Sequence, residues 1–418
     1  MRSITIALAC LILATGTATA QGRVASATDE RATGPLFAEP RFISGPIGWA
    51  TGQFGIGEAG RGTTSGFRIT SGKTIAGSGW LSAGAAYRQN LFDGRAFIDG
   101  SVGASVRAYR TAQATFEWPR LFGRDVAVGS QVVWNDFTQV SYFGTGGDTL
   151  DSMRSQYRIH YADVIAYATA RRNDVLALEV WGGSLANITV ATPTGPFRRD
   201  LPYTADLFPT EPILALSGIP RFTHGGFAFT VDTRDQPGYP RHGGVYRAGW
   251  SAFWASANQP LDFSRVEAEG VQLVPLVEER WTLAVRGWGV FTGTVDDQVV
   301  PFFMIPTLGG NSSLRAEHAY RFADRHMLLT TIESRLHLTE HLDGAVFVDA
   351  GSVAGTIGDL GLSTRNVGGG IRLHTRTKTL ARVDVSRGAA GWRFAFNLND
   401  PFRLSRLNRR TTVLPFNP

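Results

Sequence analysis

Cysteine is nearly absent from this chain of 418 residues: Cys10 stands alone near the start. The fold therefore has no disulfide to lean on, and backbone pairing and packing must hold it. Long apolar runs are missing as well. Beyond the first twenty residues no stretch reaches the ~18 apolar residues that a membrane-crossing helix needs. Lys is scarce beside Arg, and charged residues make up only 18% of the chain. The net charge of +6 does not mark a nucleic-acid surface, because the Arg residues fall singly on strand faces and not in a patch. Catalytic and cofactor signatures are missing too. Neither G-x-S-x-G nor H-E-x-x-H occurs. Ser71-Gly72-Lys73-Thr74 resembles the end of a phosphate loop, but Phe67 stands where that loop needs its first Gly. No cofactor, metal or nucleic acid is expected.

The one apolar run is a leader. Met1-Arg2 supplies positive charge, residues 4–13 an apolar core, and Ala18-Thr19-Ala20 a small-residue cleavage box. Residues 1–20 read as a secretory signal peptide, and the chain as exported. Cys10 sits in the middle of the apolar run, which excludes a lipoprotein anchor. Residues 21–61 are rich in Gly, Pro and Ala with weak periodicity. They are expected to form a periplasmic arm or a lumen insert, since about 40 residues without a staple are too few for a domain.

From residue 62 to 402 the texture becomes strand, turn, strand. Gly is plentiful at 49, Phe at 26 and Trp at 10. Strands are expected over 79–91, 95–109, 110–118, 125–135, 157–171 and 175–183, with a patternless loop at 187–220. The second half is cleaner. Thr331, Glu333, Arg335 and His337 alternate with Thr330, Ile332, Ser334 and Leu336, and Phe347 and Asp349 alternate with Val346 and Val348. Trp392 and Phe394 oppose Arg393 in the same way. A period of two with charge on one face argues for strands.

Two architectures fit such strands: a soluble sheet with one wet face, or a membrane barrel with lipid outside and a polar lumen. The charges decide. Nearly every strand carries them on one face, no helical layer is available to cover the other, and unpaired charge in a dry core costs several kcal/mol. A wet lumen removes that cost, and closure removes the edges that lipid does not tolerate. The expectation is an all-β fold: a transmembrane antiparallel barrel of about 16 strands, each with its connection taking about 21 residues. A long loop would fold into the lumen, and a basic tail, 403–418, would follow the barrel.

Few residues suggest chemistry. Asp232, Arg234 and Asp235 lie among Gly and Pro residues, and a strand-end turn is the simpler role for them. Gly309 and Gly310 belong to the same class of strand-end signal. His318, His326, His337 and His341 lack ligand spacing and read as loop and lumen residues. Arg315 lies in a Gly-rich loop ahead of strands whose inner faces carry Glu333 and Asp349. Folded inward, it can make a charge-assisted, bidentate pair that pins the loop.

In order along the chain, five groups of residues stand out. They are Asp232-Thr233-Arg234-Asp235, Leu308-Gly309-Gly310, Leu314-Arg315, Phe347-Val348-Asp349-Ala350-Gly351 and Gly368-Gly369-Gly370-Ile371-Arg372. The set resembles the bacterial surface-antigen barrel, the outer-membrane assembly-factor superfamily of BamA and TamA type. The resemblance covers roughly 62–402 and implies a barrel in a Gram-negative outer membrane. It also implies that Arg315, at the family's loop-Arg position, contacts Asp349. Three features depart from the family. Ala316 and Glu317 replace the Gly and aromatic that follow the loop Arg, the pre-barrel segment cannot hold a POTRA module, and the tail runs on past Phe402. The implied role is non-enzymatic: insertion or transport of protein or lipid, in contact with outer-membrane lipid and with a periplasmic partner supplying the missing module. The alternatives are a passive anion-favouring pore and an outer-membrane hydrolase. The hydrolase would need a Ser/His/Asp set at the rim, and no residues are nominated for one.

Overall fold

The computed structural model describes residues 35–37, 39–40 and 64–416, apart from short gaps, the longest being 212–219 and 403–409. The leader and most of 21–61 lie outside these residues. Of that segment, Leu36 and Phe37 donate backbone bonds to the carbonyls of His337 and Leu338 at 3.2 and 2.8 Å.

Among the described residues eighteen strands follow: β1 (Gly66–Ser71), β2 (Ser82–Leu91), β3 (Ala96–Ser105), β4 (Arg110–Trp118), β5 (Val126–Tyr142), β6 (Ser155–Arg172), β7 (Leu176–Ala191), β8 (Phe222–Asp232) and β9 (Gly243–Ala255). Then come β10 (Phe263–Val277), β11 (Trp281–Gly293), β12 (Thr307–Leu308), β13 (Phe322–Ala323), β14 (His326–Thr339), β15 (Leu342–Ala354), β16 (Thr364–His374), β17 (Thr379–Gly388) and β18 (Gly391–Asn397). Sixteen of them form one sheet in chain order, and β12 pairs only with β13. All neighbours in the large sheet run antiparallel. This is the architecture expected of a transmembrane barrel. Among the described residues no pairing joins β1 to β18, and these are the shortest strands of the large sheet, at 6 and 7 residues.

The period-two pattern sorts the side chains. Ile332, Val346, Val348, Val367, Ile371, Val385, Trp392 and Phe394 are all exposed on the outer face. Thr331, Glu333, Arg335, Phe347 and Asp349 are buried on the inner one. Register keeps the faces together: Ile332 lies opposite Val348, and Thr331 opposite Asp349. A slip of one residue would turn every inward charge toward lipid.

The strands β5, β6 and β7 have 17, 18 and 16 residues. That exceeds the ~9–11 residues that cross a bilayer, so they rise beyond it. The strand expected at 125–135 therefore runs on to Tyr142, the one expected at 175–183 runs to Ala191, and the loop begins only there. The reason is physical. From Asn135 to Tyr142 every residue is buried, so alternation between lipid and lumen no longer shows. The following loop covers this part: Thr194 donates to the Thr138 carbonyl at 3.0 Å, and Phe208 packs edge-on against Tyr142 at 5.1 Å. The loop also carries a one-turn helix, Thr204–Leu207.

Much of the barrel interior is dry. Loop residues Phe302, Phe303 and Met304 pack against Tyr157 and Ile159 of β6 and against Leu414 of the C-terminal segment, all nearly inaccessible. Burial of each such side chain contributes about 1.5–3 kcal/mol, so the loop is bound to the wall and does not drift in a channel. Where the interior is polar, most of its charges lie in ion pairs, while Arg265 donates to Thr292 and the Met304 carbonyl.

Candidate functional site

The loop between β11 and β14 turns inward as a hairpin, with Thr307 opposite Ala323 and Leu308 opposite Phe322. Gly309 and Gly310 follow β12 with φ of +118° and +95°. A Cβ on Gly309 would stand 2.1 Å from the His318 carbonyl oxygen, so only glycine lets the two arms of the loop close. Gly310 donates to the Glu317 carbonyl at 3.1 Å, which makes the tip a tight, self-bonded turn.

That tip delivers Arg315 to the wall. Its Nε and Nη2 donate to the two carboxylate oxygens of Asp349, both at 2.9 Å, and Nη1 donates to Glu333 at 2.6 Å. The guanidinium carbon lies 3.3 Å above the Phe347 ring, which adds a cation–π contact. Glu333 also accepts from Arg335 at 2.8 Å and from Arg372 at 3.1 Å. Arg372 reaches Asp384 at 2.6 Å, where Arg382 also donates. Two wall arginines also hold the loop backbone: Arg286, paired with Glu269 at 2.7 Å, donates to the Ser312 carbonyl at 2.7 Å, and Arg382 donates to that of Asn311. On the other side, Arg393 of β18 donates to the Glu317 carbonyl at 2.6 Å. The loop is thus held by strands β11, β14, β15, β17 and β18 together. Every charge has a partner, as burial requires.

Asp232, Arg234 and Asp235 lie elsewhere, at the end of β8 and in the connection to β9. Arg234 forks onto Asp232 at 2.8 and 2.6 Å and donates to the Pro237 carbonyl at 3.0 Å. Asp235 accepts the backbone N–H of Arg241 at 3.1 Å. These residues shape a turn and do not meet Arg315.

One cluster was not legible in the sequence. His337 Nδ1 lies 2.9 Å and His374 Nε2 3.2 Å from one oxygen of Asp343, while the Tyr239 hydroxyl donates to the other at 2.5 Å. The ligand atoms of His337, Asp343 and His374 are close enough together to hold a metal ion. Here a cation already stands beside them: Arg241 Nη2 is 3.0 Å from His337 Nδ1 and donates to the Tyr239 hydroxyl at 2.7 Å. Burial, and then the Asp343 carboxylate, raise the Tyr239 phenol well above its ordinary value. His337 and Asp343 are six residues apart, but Tyr239 and His374 come from 104 and 31 residues away, so no spacing rule could have joined all four. Of the four histidines singled out in the sequence, only His337 belongs to it.

A family model described as the Omp85 superfamily domain matches residues 90–402. The chain belongs to the Omp85 superfamily. Among solved structures, it is similar to BamA from Haemophilus ducreyi lacking POTRA domains 1–3. The identity is 14% and the TM-score 0.53, and the match covers 80% of this chain and 69% of that one. It also matches CdiB from Acinetobacter baumannii, with 12% identity and a TM-score of 0.47, over 79% of this chain and 59% of that one. CdiB from Escherichia coli matches at 12% identity and a TM-score of 0.48, over 77% of this chain and 58% of that one. No curated protein matches. The BamA likeness shows the barrel fold. In this Omp85 barrel the loop reaches the wall with Ala316 and Glu317 behind Arg315; Ala316 is buried, and Glu317 uses its carbonyl, not an aromatic face, to meet β18.

Proposed function

We propose that this Omp85 barrel is exported to the bacterial outer membrane and there inserts or transports protein or lipid, without enzymatic chemistry of its own. The observation that carries the reading is the ion-locked loop. A passive pore works by a continuous wet path, whereas this interior is filled by a loop held through five strands. Work on cargo then has to involve displacement of the loop or opening of the wall. The short strands β1 and β18 support the second route. Their outward residues Phe67, Ile69, Trp392 and Phe394 are among the most exposed in the chain. Unpaired strand edges are unfavourable in lipid, and an incoming strand that pairs with them relieves that cost. We further propose that a periplasmic protein delivers the cargo. Photo-crosslinking from position 242, on the exposed β8–β9 turn, would capture it. A map showing only outer-membrane lipid at that position would remove the partner from the model.

The decisive test is single-channel conductance of the mature chain in planar bilayers, beside a deletion of residues 301–321. The expected wild-type current is small and flickering, and becomes large and steady on deletion. A large, steady, anion-selective current in the wild type would mean a pore and would sink the proposal.

A further inference from the structure

The C-terminal segment does something the barrel fold does not require. Residues 410–416 do not trail from the last strand but run inside the barrel, along the inner face of β6 toward the lumen loop. Arg410 leads. Its Nε donates to Glu179 at 2.6 Å, its Nη1 is 4.0 Å from Glu117, and its guanidinium carbon lies 3.9 Å above the Tyr167 ring. Two residues on, the Thr412 N–H donates to Asp163 at 2.6 Å. Two further, the Leu414 N–H donates to the Tyr161 hydroxyl at 2.8 Å, and its side chain is fully buried. Two further again, Phe416 N–H donates to the Phe303 carbonyl at 3.0 Å, and the Phe416 ring lies 3.8 Å from the Arg265 guanidinium carbon.

The period is two: residues 410, 412 and 414 meet the wall in turn, and 416 meets the loop and Arg265 of β10. That is the signature of an extended peptide read by a groove, with backbone N–H groups giving affinity and alternate side chains giving specificity. The wall is built to match. Glu117, Glu179 and Asp163 form an acidic floor, with Tyr167 over the base-recognising end. Side-chain oxygens, not strand backbone, accept two of the three N–H groups, so the segment adds no strand to the sheet. It touches both the wall and the loop: Thr307, at the root of the loop hairpin, donates to the Phe416 carbonyl at 3.0 Å.

We infer that the inner face of β4, β6 and β7, continued by Arg265 of β10 and by the lumen loop, is a binding groove for an extended peptide of the form basic, then apolar four residues on, then aromatic six residues on. The chain's own Arg410–Phe416 segment is its resident, displaceable occupant. The inference does not rest on the transport role proposed above. A barrel that only conducted ions would carry the same groove, with its tail as the gate.

The experiment uses the full chain with Cys10→Ser and Leu414→Cys, so that one thiol reports on the segment. With the groove occupied, position 414 reacts with a membrane-impermeant maleimide far more slowly than in denatured protein. Adding a synthetic peptide of residues 410–416 speeds labelling at least ten-fold in a saturable way, and a scrambled peptide does not. Arg410→Glu, which sets a carboxylate against Glu117 and Glu179, speeds labelling similarly, and adding Glu179→Arg restores protection. Labelling at the denatured rate in the starting variant would mean the segment does not occupy the lumen. Protection that neither the peptide nor Arg410→Glu changes would mean a fixed structural part. Either result overturns the inference, and the peptide arm does so without depending on the folding of any charge variant.

Discussion

Arg315→Ala tests the lock directly. Three side-chain bonds are lost, at 2.9, 2.9 and 2.6 Å. The two acids they leave behind differ. Glu333 keeps Arg335 at 2.8 Å and Arg372 at 3.1 Å. Asp349 keeps Thr331 at 3.0 Å, with its side chain at 0% exposure. Most of the damage therefore falls on Asp349. Removing one partner of a buried pair typically costs about 3–5 kcal/mol, and we expect that range here. Asp349→Ala should cost less, about 2–3 kcal/mol, because Arg315 retains Glu333 and the Phe347 face. In the double variant neither orphan remains, so the summed effect should fall short of additivity by about 1–3 kcal/mol. Urea titration of the heat-modifiable band, followed with Trp fluorescence in detergent micelles, measures all three. Trypsin cleavage at Arg321, which every variant keeps, reports the loop separately. If both single variants are silent, or their effects simply add, the pairing does not hold the loop.

Gly309→Ala sets a Cβ 2.1 Å from the His318 carbonyl at a φ of +118°, so the loop tip must open. A loss of about 2 kcal/mol or more is expected, and wild-type trypsin resistance would refute it. Outside the membrane, burial raises the Glu211 carboxyl above its ordinary value of 4.5, while the Tyr142 and Thr145 hydroxyls lower it. The fold thus holds this proton more tightly than the unfolded chain does. Its contribution is full at low pH and is lost as pH rises from about 4.5 through the folded value. Protease nicking of segment 192–211 should therefore rise with pH across that window, and Glu211→Gln should flatten the profile; an unchanged profile would refute the assignment. Phe394→Arg places a charge on the lipid face of β18 and should cost up to about 2–4 kcal/mol, depending on depth. Unaltered folding into lipid vesicles would mean that this face does not meet lipid.

The barrel was legible because its strands alternate. Ile332 against Glu333 and Val348 against Asp349 already state which side faces lipid, and that statement is local to each strand. Arg315 was legible for a related reason: a Gly-rich loop carrying one Arg precedes two inward acids, and the resemblance to known barrels pointed to the same pair. The upper half of β5 was not legible, since a strand covered on both faces has no period to read. The lattice of Arg335, Arg372, Arg382 and Asp384 behind the lock was visible only as a charged face. Which acid met which Arg depended on the stagger between strands, which composition does not encode. The cluster of Tyr239, His337, Asp343 and His374 was hidden for the same reason.

By itself, then, the sequence determined the strand faces, because alternation rests on immediate neighbours; the strand number came from the length of the region, and Arg315 was nominated by its Gly-rich loop and the family resemblance, since its partners lie 18 and 34 residues away. Only the tertiary structure decided that residues 410–416 lie inside the barrel and that Arg410 meets Glu179. That contact joins residues 231 apart in the chain, and it exists only because the curved sheet brings its inner faces around one interior.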